Sequence, residues 1–326
     1  MSEEVSIRDA RVDDHDDIRS ITADTWPDRD GGDYLGRVFP QWIEPGDQPK
    51  RTLVAEVEGH AVAIAQSVIL SDHEAWGQGL RVHPDYRGLH LSRRLTAALF
   101  DWASDQGASV MRAMVFSWNV AGLGQARSSG YRPTCAFRWV HPDPAQSGIA
   151  SQYLDDPERP YLPASVAVSV TDDPKAAWNA FQGSAVARAL RGLTLSLDES
   201  WAVSELTPAT LARAAEETAV IAINTPGGAD GMSYRTRTFE REDEDGDPYT
   251  VAEYGVAVWE EVPVAAALLD AIAADAASIG ADRTRVLVPE TPSHVSDAAL
   301  LRAEIAEHPD FVVSADLTAT ERLSRH

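Results

Sequence analysis

Within Leu80-Arg81-Val82-His83-Pro84-Asp85-Tyr86-Arg87-Gly88-Leu89-His90-Leu91-Ser92-Arg93-Arg94 a strand ends, a loop with one glycine follows, and an amphipathic helix begins. Pro84 cannot extend a strand ladder, so the short strand Leu80–Val82 stops there. From Leu91 the apolar residues Leu91, Leu95, Ala98, Leu99 and Trp102 recur at helical spacing, up to a stop near Gly107. Unpaired backbone N–H groups at such a helix start, together with the positive end of the helix dipole, make an anion site. Arginines in a first helical turn oppose that dipole. Arg87, Arg93 and Arg94 therefore point either to a bound phosphate or to pairing with nearby surface carboxylates.

Working outward, Val5–Arg8 alternates as a strand, and an acidic segment from Asp13 leads into a helix carrying Ile18 and Ile21. Arg51–Glu58 and His60–Leu70 alternate on either side of Glu58-Gly59, which predicts a hairpin. Val110–Phe116 reads as a strand, Val120–Ser129 as a helix and Thr134–Val140 as a strand. The resulting order, β, α, β, β, β, α, β, α, β, predicts a mixed α/β fold with helices on a mixed sheet. His141–Pro163 contains Pro142, Pro144, Pro157, Pro160 and Pro163 with little periodicity and reads as a linker. Domains are thus expected at 1–140 and 164–326, joined by a Pro-rich linker at 141–163.

Beyond the linker, Trp178–Leu190 and Pro208–Glu217 have helical patterns, and Tyr234–Glu240 and Tyr249–Trp259 flank an acidic turn as a hairpin. A helix (Pro263–Ile279), a strand (Arg285–Val288) and a helix (Val295–Ala306) follow. Hairpin, helix, strand, helix echoes the first half, so an internal duplication is one reading, without a repeated motif to prove it.

The chain has 326 residues, 44% of them hydrophobic, enough for a substantial core. Its 51 acids against 28 bases give a formal charge of −23, and only Lys50 and Lys175 are lysines. Nine tryptophans and regular periodicity argue against disorder. A solvated acidic surface suited to high salt is expected instead, and with it a halophilic source. Such a surface repels nucleic acid and anionic membranes, so neither is an expected partner. The single Cys135 excludes an internal disulfide and fits a reducing interior. The acidic Met1-Ser2-Glu3-Glu4 leads directly into a strand, which predicts no secretory signal and a cytoplasmic address. Val262–Ala281, interrupted by Asp270 and Asp275, is an amphipathic helix rather than a membrane span.

The run Val82-His83-Pro84-Asp85-Tyr86-Arg87-Gly88 resembles the segment of the GNAT N-acetyltransferase family that carries its Arg/Gln-x-x-Gly-x-Gly/Ala signature. Asn119 lies after the next strand, and Gly130-Tyr131 follow it where the family has Asn and Gly-Phe. The likeness covers roughly residues 5–140, including the order of elements. It implies a GNAT acyl-CoA N-acyltransferase fold with acetyl-CoA as cosubstrate. Leu80, Arg81 and Val82 would line the pantetheine arm. Arg87, Gly88, Leu89, His90, Leu91 and Ser92 would hold the pyrophosphate, and Asn119 would belong to the same site.

Two departures matter. The fourth and sixth signature positions are His90 and Ser92, where glycine would allow close backbone approach; a histidine at helical φ/ψ still offers its N–H. The tyrosine that many members carry seven residues after the asparagine, as proton donor to the leaving thiolate, is replaced by Ala126. Coenzyme A leaves fairly well near neutral pH, so water or Ser128 could substitute.

Direct transfer also needs a base for the amine. The resemblance places it on the strand before the signature, where Asp72, His73 and Glu74 are candidates and Glu74 is chosen. Trp26, Trp42, Trp76 and Trp118 are candidates for the acceptor pocket or for core. After Val256–Trp259 comes Glu260-Glu261-Val262-Pro263-Val264, with no glycine and no base. The second half therefore reads as a degenerate GNAT-like domain in a tandem protein of haloarchaeal type. His294 and His308 lack metal-ligand spacing, and Glu240–Asp247 lacks that of a calcium loop, so no metal is expected. The expected function is acetyl transfer to a primary amine, with a small-molecule acceptor favoured by the acidic surface. The rival is a non-catalytic acyl-CoA-binding module.

Overall fold

The computed structural model describes residues 5–23, 25, 33–46, 48–146, 148, 167–243 and 245–318. Two compact units emerge. The first takes the described residues up to Val115, Asn119–Pro133 and those from Val312, and the second takes Phe116–Trp118 and Thr134–Phe311.

In the first unit, alternating apolar residues form β1 (Val5–Asp9), β2 (Lys50–Val57) and β3 (His60–Ile69), all antiparallel. The β2–β3 turn needs left-handed backbone at Glu58 (φ 52°) and Gly59 (φ 89°), as the Glu-Gly pair predicts. β4 (Glu74–Val82) runs antiparallel to β3, and β5 (Val110–Phe116) runs parallel to β4. The strand expected at Leu80–Val82 is thus nine residues long, because Gly77 and Gly79 lie inside it rather than before it. Helices α1 (His15–Ala23) and α2 (Leu35–Ile43) pack on one face through Ile18, Ile21, Leu35, Phe39 and Ile64. Helices α3 (Leu91–Asp105) and α4 (Val120–Ser128) contribute Leu91, Leu95, Leu99 and Ala126 to a second cluster with Ala63, Ala65, Ala75 and Met111.

The sequence does not predict α2, since Gly36 and Pro40 lie in it. Those residues cost about 1 and about 3 kcal/mol in a helix interior. Full burial of Leu35 and Phe39, at roughly 1.5–3 kcal/mol each, offsets that. Pro40 has no N–H to give the Gly36 carbonyl, and His15 Nε2 donates to that oxygen instead at 2.9 Å.

β6 (Arg132–His141) enters the second unit at Thr134. That unit continues with β7 (Ser169–Thr171), α5 (Pro174–Phe181), α6 (Ala185–Ala189), the hairpin β8 (Leu193–Leu195) and β9 (Val203–Glu205), and α7 (Pro208–Glu217). Then follow β10 (Ala219–Thr225), β11 (Gly228–Glu242), β12 (Pro248–Val258), α8 (Val262–Ser278), β13 (Arg283–Pro289), α9 (Pro292–Leu300) and β14 (Glu304–Ile305). Its sheet runs β6-β13-β12-β11-β10-β7. The helix expected over Trp178–Leu190 is two, split where Gly183 turns at φ 78°. The helix expected to reach Ala306 ends at Leu300.

A last strand, β15 (Asp310–Asp316), falls where the sequence predicts none, and from Val312 it belongs to the first unit beside β5. Chain order and unit membership therefore part twice: the strand expected to close the first domain lies in the second unit, and the final strand lies in the first. Of the expected linker at 141–163, residues 147 and 149–163 lie outside the described residues.

Candidate functional site

β4 carries the site. Its pairing with β3 continues to Ala63–Val82, but its pairing with β5 runs only from Glu74–Val110 to Trp76–Arg112. Beyond that pair, among the described residues, no ladder joins β4 to β5, and the two strands part. The register with β3 shifts between Ile64 and Gln66, a bulge on β4 at Gly79. Gly79 is left-handed (φ 65°), and a Cβ there would overlap the Trp42 ring, so only glycine fits. Below it a buried chain of side chains fixes the strand: Gln78 Nε2 donates to Gln66 Oε1 at 2.8 Å, and Gln66 Nε2 donates to Thr52 Oγ1 at 2.8 Å. Gln66, beside Ser67, is a buried polar residue in a largely apolar strand, a signal the sequence offers and that its reading passes over.

Leu80 and Val82 pack on the α3 side, whereas Arg81 reaches the other way and pairs with Asp33, Nε to Oδ2 at 2.6 Å. After β4, Pro84–Tyr86 makes one 3-10 turn, Gly88 is left-handed (φ 85°), and α3 begins. Arg87, Gly88, Leu89 and His90 are exposed, Ser92 is half-buried and Leu91 is buried. Arg94 Nη2 donates to the Val5 carbonyl at 2.9 Å. The side chains of Arg87 and Arg93 make no ion pair or hydrogen bond among the described residues. The pairing alternative raised by their sequence context thus accounts for neither.

His90 differs from expectation. It is the N-cap of α3 at φ 57°, ψ 22°, left-handed rather than helical, and its side chain makes no capping bond. The glycine preference at this position thus has a local backbone cause. A non-glycine residue gives up roughly 1–2 kcal/mol in that region, while glycine's greater freedom in the unfolded chain returns about 0.5–1 kcal/mol. His90→Gly should therefore raise unfolding free energy by up to about 1 kcal/mol, seen as a higher melting temperature.

Asn119 caps α4, its Oδ1 accepting the Gly122 N–H at 2.9 Å. Ala126 is buried, and Ser128 Oγ donates to the Gln125 carbonyl at 2.8 Å on its own helix. Glu74, the chosen base, is 2% exposed. Its carboxylate pairs with Arg112 and accepts the Ser71 hydroxyl at 2.9 Å, while Asp72 and His73 are exposed. Of the tryptophans, Trp42 lies at the β4 bulge, Trp76 is core and Trp118 stacks on Phe116 at 5.0 Å. Trp26 lies outside the described residues.

The second unit repeats the strand, helix, strand, helix succession with a different outcome. β12 and β13 are parallel and pair from Val251–Arg283 to Tyr254–Val286. Trp259, 1% exposed, donates its indole N–H to Asp297 Oδ2 on α9 at 3.0 Å and packs on His294 at 5.0 Å. That bond ties the residue after β12 to α9. Glu261 caps α8 without a side-chain bond, and Glu260 accepts the Ala185 N–H at 2.7 Å. Two carboxylates stand where the first unit has arginines.

A strand that leaves its parallel neighbour above an arginine-flanked helix start belongs to the GNAT fold, and the first unit has that fold. Residues 15–131 match the model of the acetyltransferase (GNAT) family. No functionally curated protein matches the sequence. Among solved structures the chain is similar to a GCN5-related N-acetyltransferase from Sphaerobacter thermophilus, at 14% identity and TM-score 0.56, covering 99% of this chain and 98% of that one. It is also similar to a tandem GNAT protein from the clavulanic acid biosynthesis pathway, at 14% identity and TM-score 0.52, covering 98% of this chain and 100% of that one. At such identities the likeness concerns the fold.

Proposed function

We propose that the protein moves an acetyl group from acetyl-CoA to a primary amine by direct attack. The observation that carries this is the parting of β4 from β5 after Trp76–Arg112, just before the exposed amides at Gly88–Ser92 with Arg87 and Arg93 beside them. Strand groups freed on β4 suit the amide-bearing pantetheine arm, with Leu80, Arg81 and Val82 along it. The helix start suits the pyrophosphate. Glu74 is the proposed base; for that role its carboxylate must let go of Arg112 when the acceptor arrives.

A small cationic amine is the proposed acceptor, since a chain of charge −23 draws such molecules and repels anionic ones. The second unit, with Glu260 and Glu261 ahead of α8 and no arginine there, is proposed as a degenerate copy that supports the first. Among the described residues no helix is long and apolar enough to cross a membrane. A cytoplasmic protein of a salt-adapted, haloarchaeal cell fits the acidic, lysine-poor composition. The second reading, an acyl-CoA-binding module without turnover, is favoured by Ala126 and by the ion-paired state of Glu74.

Calorimetry of the full chain in high salt, followed by a thiol-release assay with an amine panel, separates these readings. Acyl transfer predicts heat on adding coenzyme A and amine-stimulated thiol release. Binding without release selects the module, and no heat with coenzyme A or its acetyl ester rejects both.

A further inference from the structure

The thiolate that leaves acetyl-CoA needs a proton, for which the sequence suggests water or Ser128. Ala126 has no proton to offer, and the Ser128 hydroxyl is tied to its own helix. Resting on the acyl-transfer reading above, the geometry points to Tyr131 as the proton donor. Its phenol hydroxyl meets the point where β4 leaves β5.

Tyr131 reaches that point because of what surrounds it. Its backbone N–H bonds to the Ala126 carbonyl at 3.1 Å, so the two residues are neighbours, and the small Ala126 leaves room for the ring. The ring stands edge-on to Phe100 on α3 at 5.2 Å and packs in the same cluster as Ala75, Met111 and Ala126. A Cβ built on Gly77 would lie 2.9 Å from the Tyr131 hydroxyl and 3.2 Å from Met111 Sδ. Gly77 is the first β4 residue past the last β4–β5 pair, Trp76–Arg112. The absence of a side chain there is what admits the hydroxyl.

Two further observations fit a hydroxyl awaiting a partner. Tyr131 makes no side-chain hydrogen bond among the described residues. Opposite Gly77 in the β3–β4 ladder lies Ser67, fully buried, whose Oγ has no partner among the described residues. By strand alternation Ser67 shares the face of Ala63 and Ala65, the face of the Tyr131 cluster. A buried hydroxyl such as that of Ser67 left without a partner is uncommon in a packed interior. Burial also raises the phenol's pKa, so it stays protonated through the neutral range.

In the step itself, the amine nitrogen bonds to the thioester carbon and the C–S bond breaks, its electron pair passing to sulfur. The Tyr131 O–H proton moves to that sulfur and releases free thiol. The proton shed by the attacking nitrogen, taken by Glu74 and passed on through water, restores both the phenol and the carboxylate.

The test is Tyr131→Phe in the full chain, which keeps the ring against Phe100. The expected result is a fall in kcat of about 10²-fold, with KM for acetyl-CoA, coenzyme A affinity by calorimetry and melting temperature little changed. A kcat within about threefold of wild type would overturn the assignment, as would a loss of activity matched by loss of coenzyme binding or of melting temperature. Wild-type chain inactive with every amine would instead sink the acyl-transfer reading, and this assignment with it.

Discussion

Glu253→Gln should lower the unfolding free energy by about 3–5 kcal/mol, the range for removing one partner of a buried ion pair. The Glu253 side chain is fully buried in the second unit. It accepts from Thr236 Oγ1 at 2.7 Å, Arg237 Nη1 at 2.5 Å and Arg285 Nε at 2.6 Å. Arg285 is itself enclosed by rings, its guanidinium 4.7 Å from Trp139, 4.2 Å from Trp201 and 4.7 Å from Phe239. Glutamine preserves the volume but leaves two guanidinium groups with one neutral oxygen between them. Burial limits screening, so high salt should not rescue the variant. Urea melts with an unchanged m-value would report the loss. A decrease under about 1 kcal/mol would show that water reaches the arginines. Replacing all three charged residues by apolar ones of similar volume should recover most of the stability, because desolvation and attraction nearly cancel for such clusters.

Glu74→Gln should also be destabilising, by about 1–3 kcal/mol, because it removes a charge-assisted bond to Arg112, which is only 8% exposed. This variant alone does not tell a base from a strut. The double change Glu74→Gln with Arg112→Gln does, since it removes both charges and should return most of the stability through the coupling between the two sites. If Glu74 takes the amine proton, the double variant stays slow, with kcat down about 10²-fold or more and KM for acetyl-CoA little altered. Activity returning together with stability would show that the pair only holds β4 against β5.

How far the sequence reveals this molecule depends on where the deciding force lies. Local chemistry is legible: the Glu58-Gly59 turn, the start of α3 after Gly88 and the cap at Asn119 come from residues a few positions apart. Helix α2 is hidden by Gly36 and Pro40, since its two buried side chains and the His15 bond to Gly36 are tertiary. β4 reads short because its glycines, which look like breakers, make the bulge against Trp42 and the gap at Gly77. Of the candidate site, the phosphate-facing loop is visible as a motif. The Asp33–Arg81 pair and the approach of Tyr131 to Gly77 span 48 and 54 positions of chain and have no local signature. His90 shows the reverse: the sequence reads helical backbone there, and the residue is left-handed.

The placement of β15 bears on how the protein is made. The first unit's sheet waits for residues from Val312 onward, although the segment matching the acetyltransferase family is complete at residue 131. A ribosome adding about 5–20 residues per second therefore needs on the order of ten seconds or more between finishing that segment and supplying its neighbour strand. During that interval one side of β5 stays open, an edge prone to wrong pairing. Removing the residues from Val312 onward would be expected to harm the amino-terminal unit first, and a fragment ending at Val140 would lack a strand of the domain it was meant to isolate.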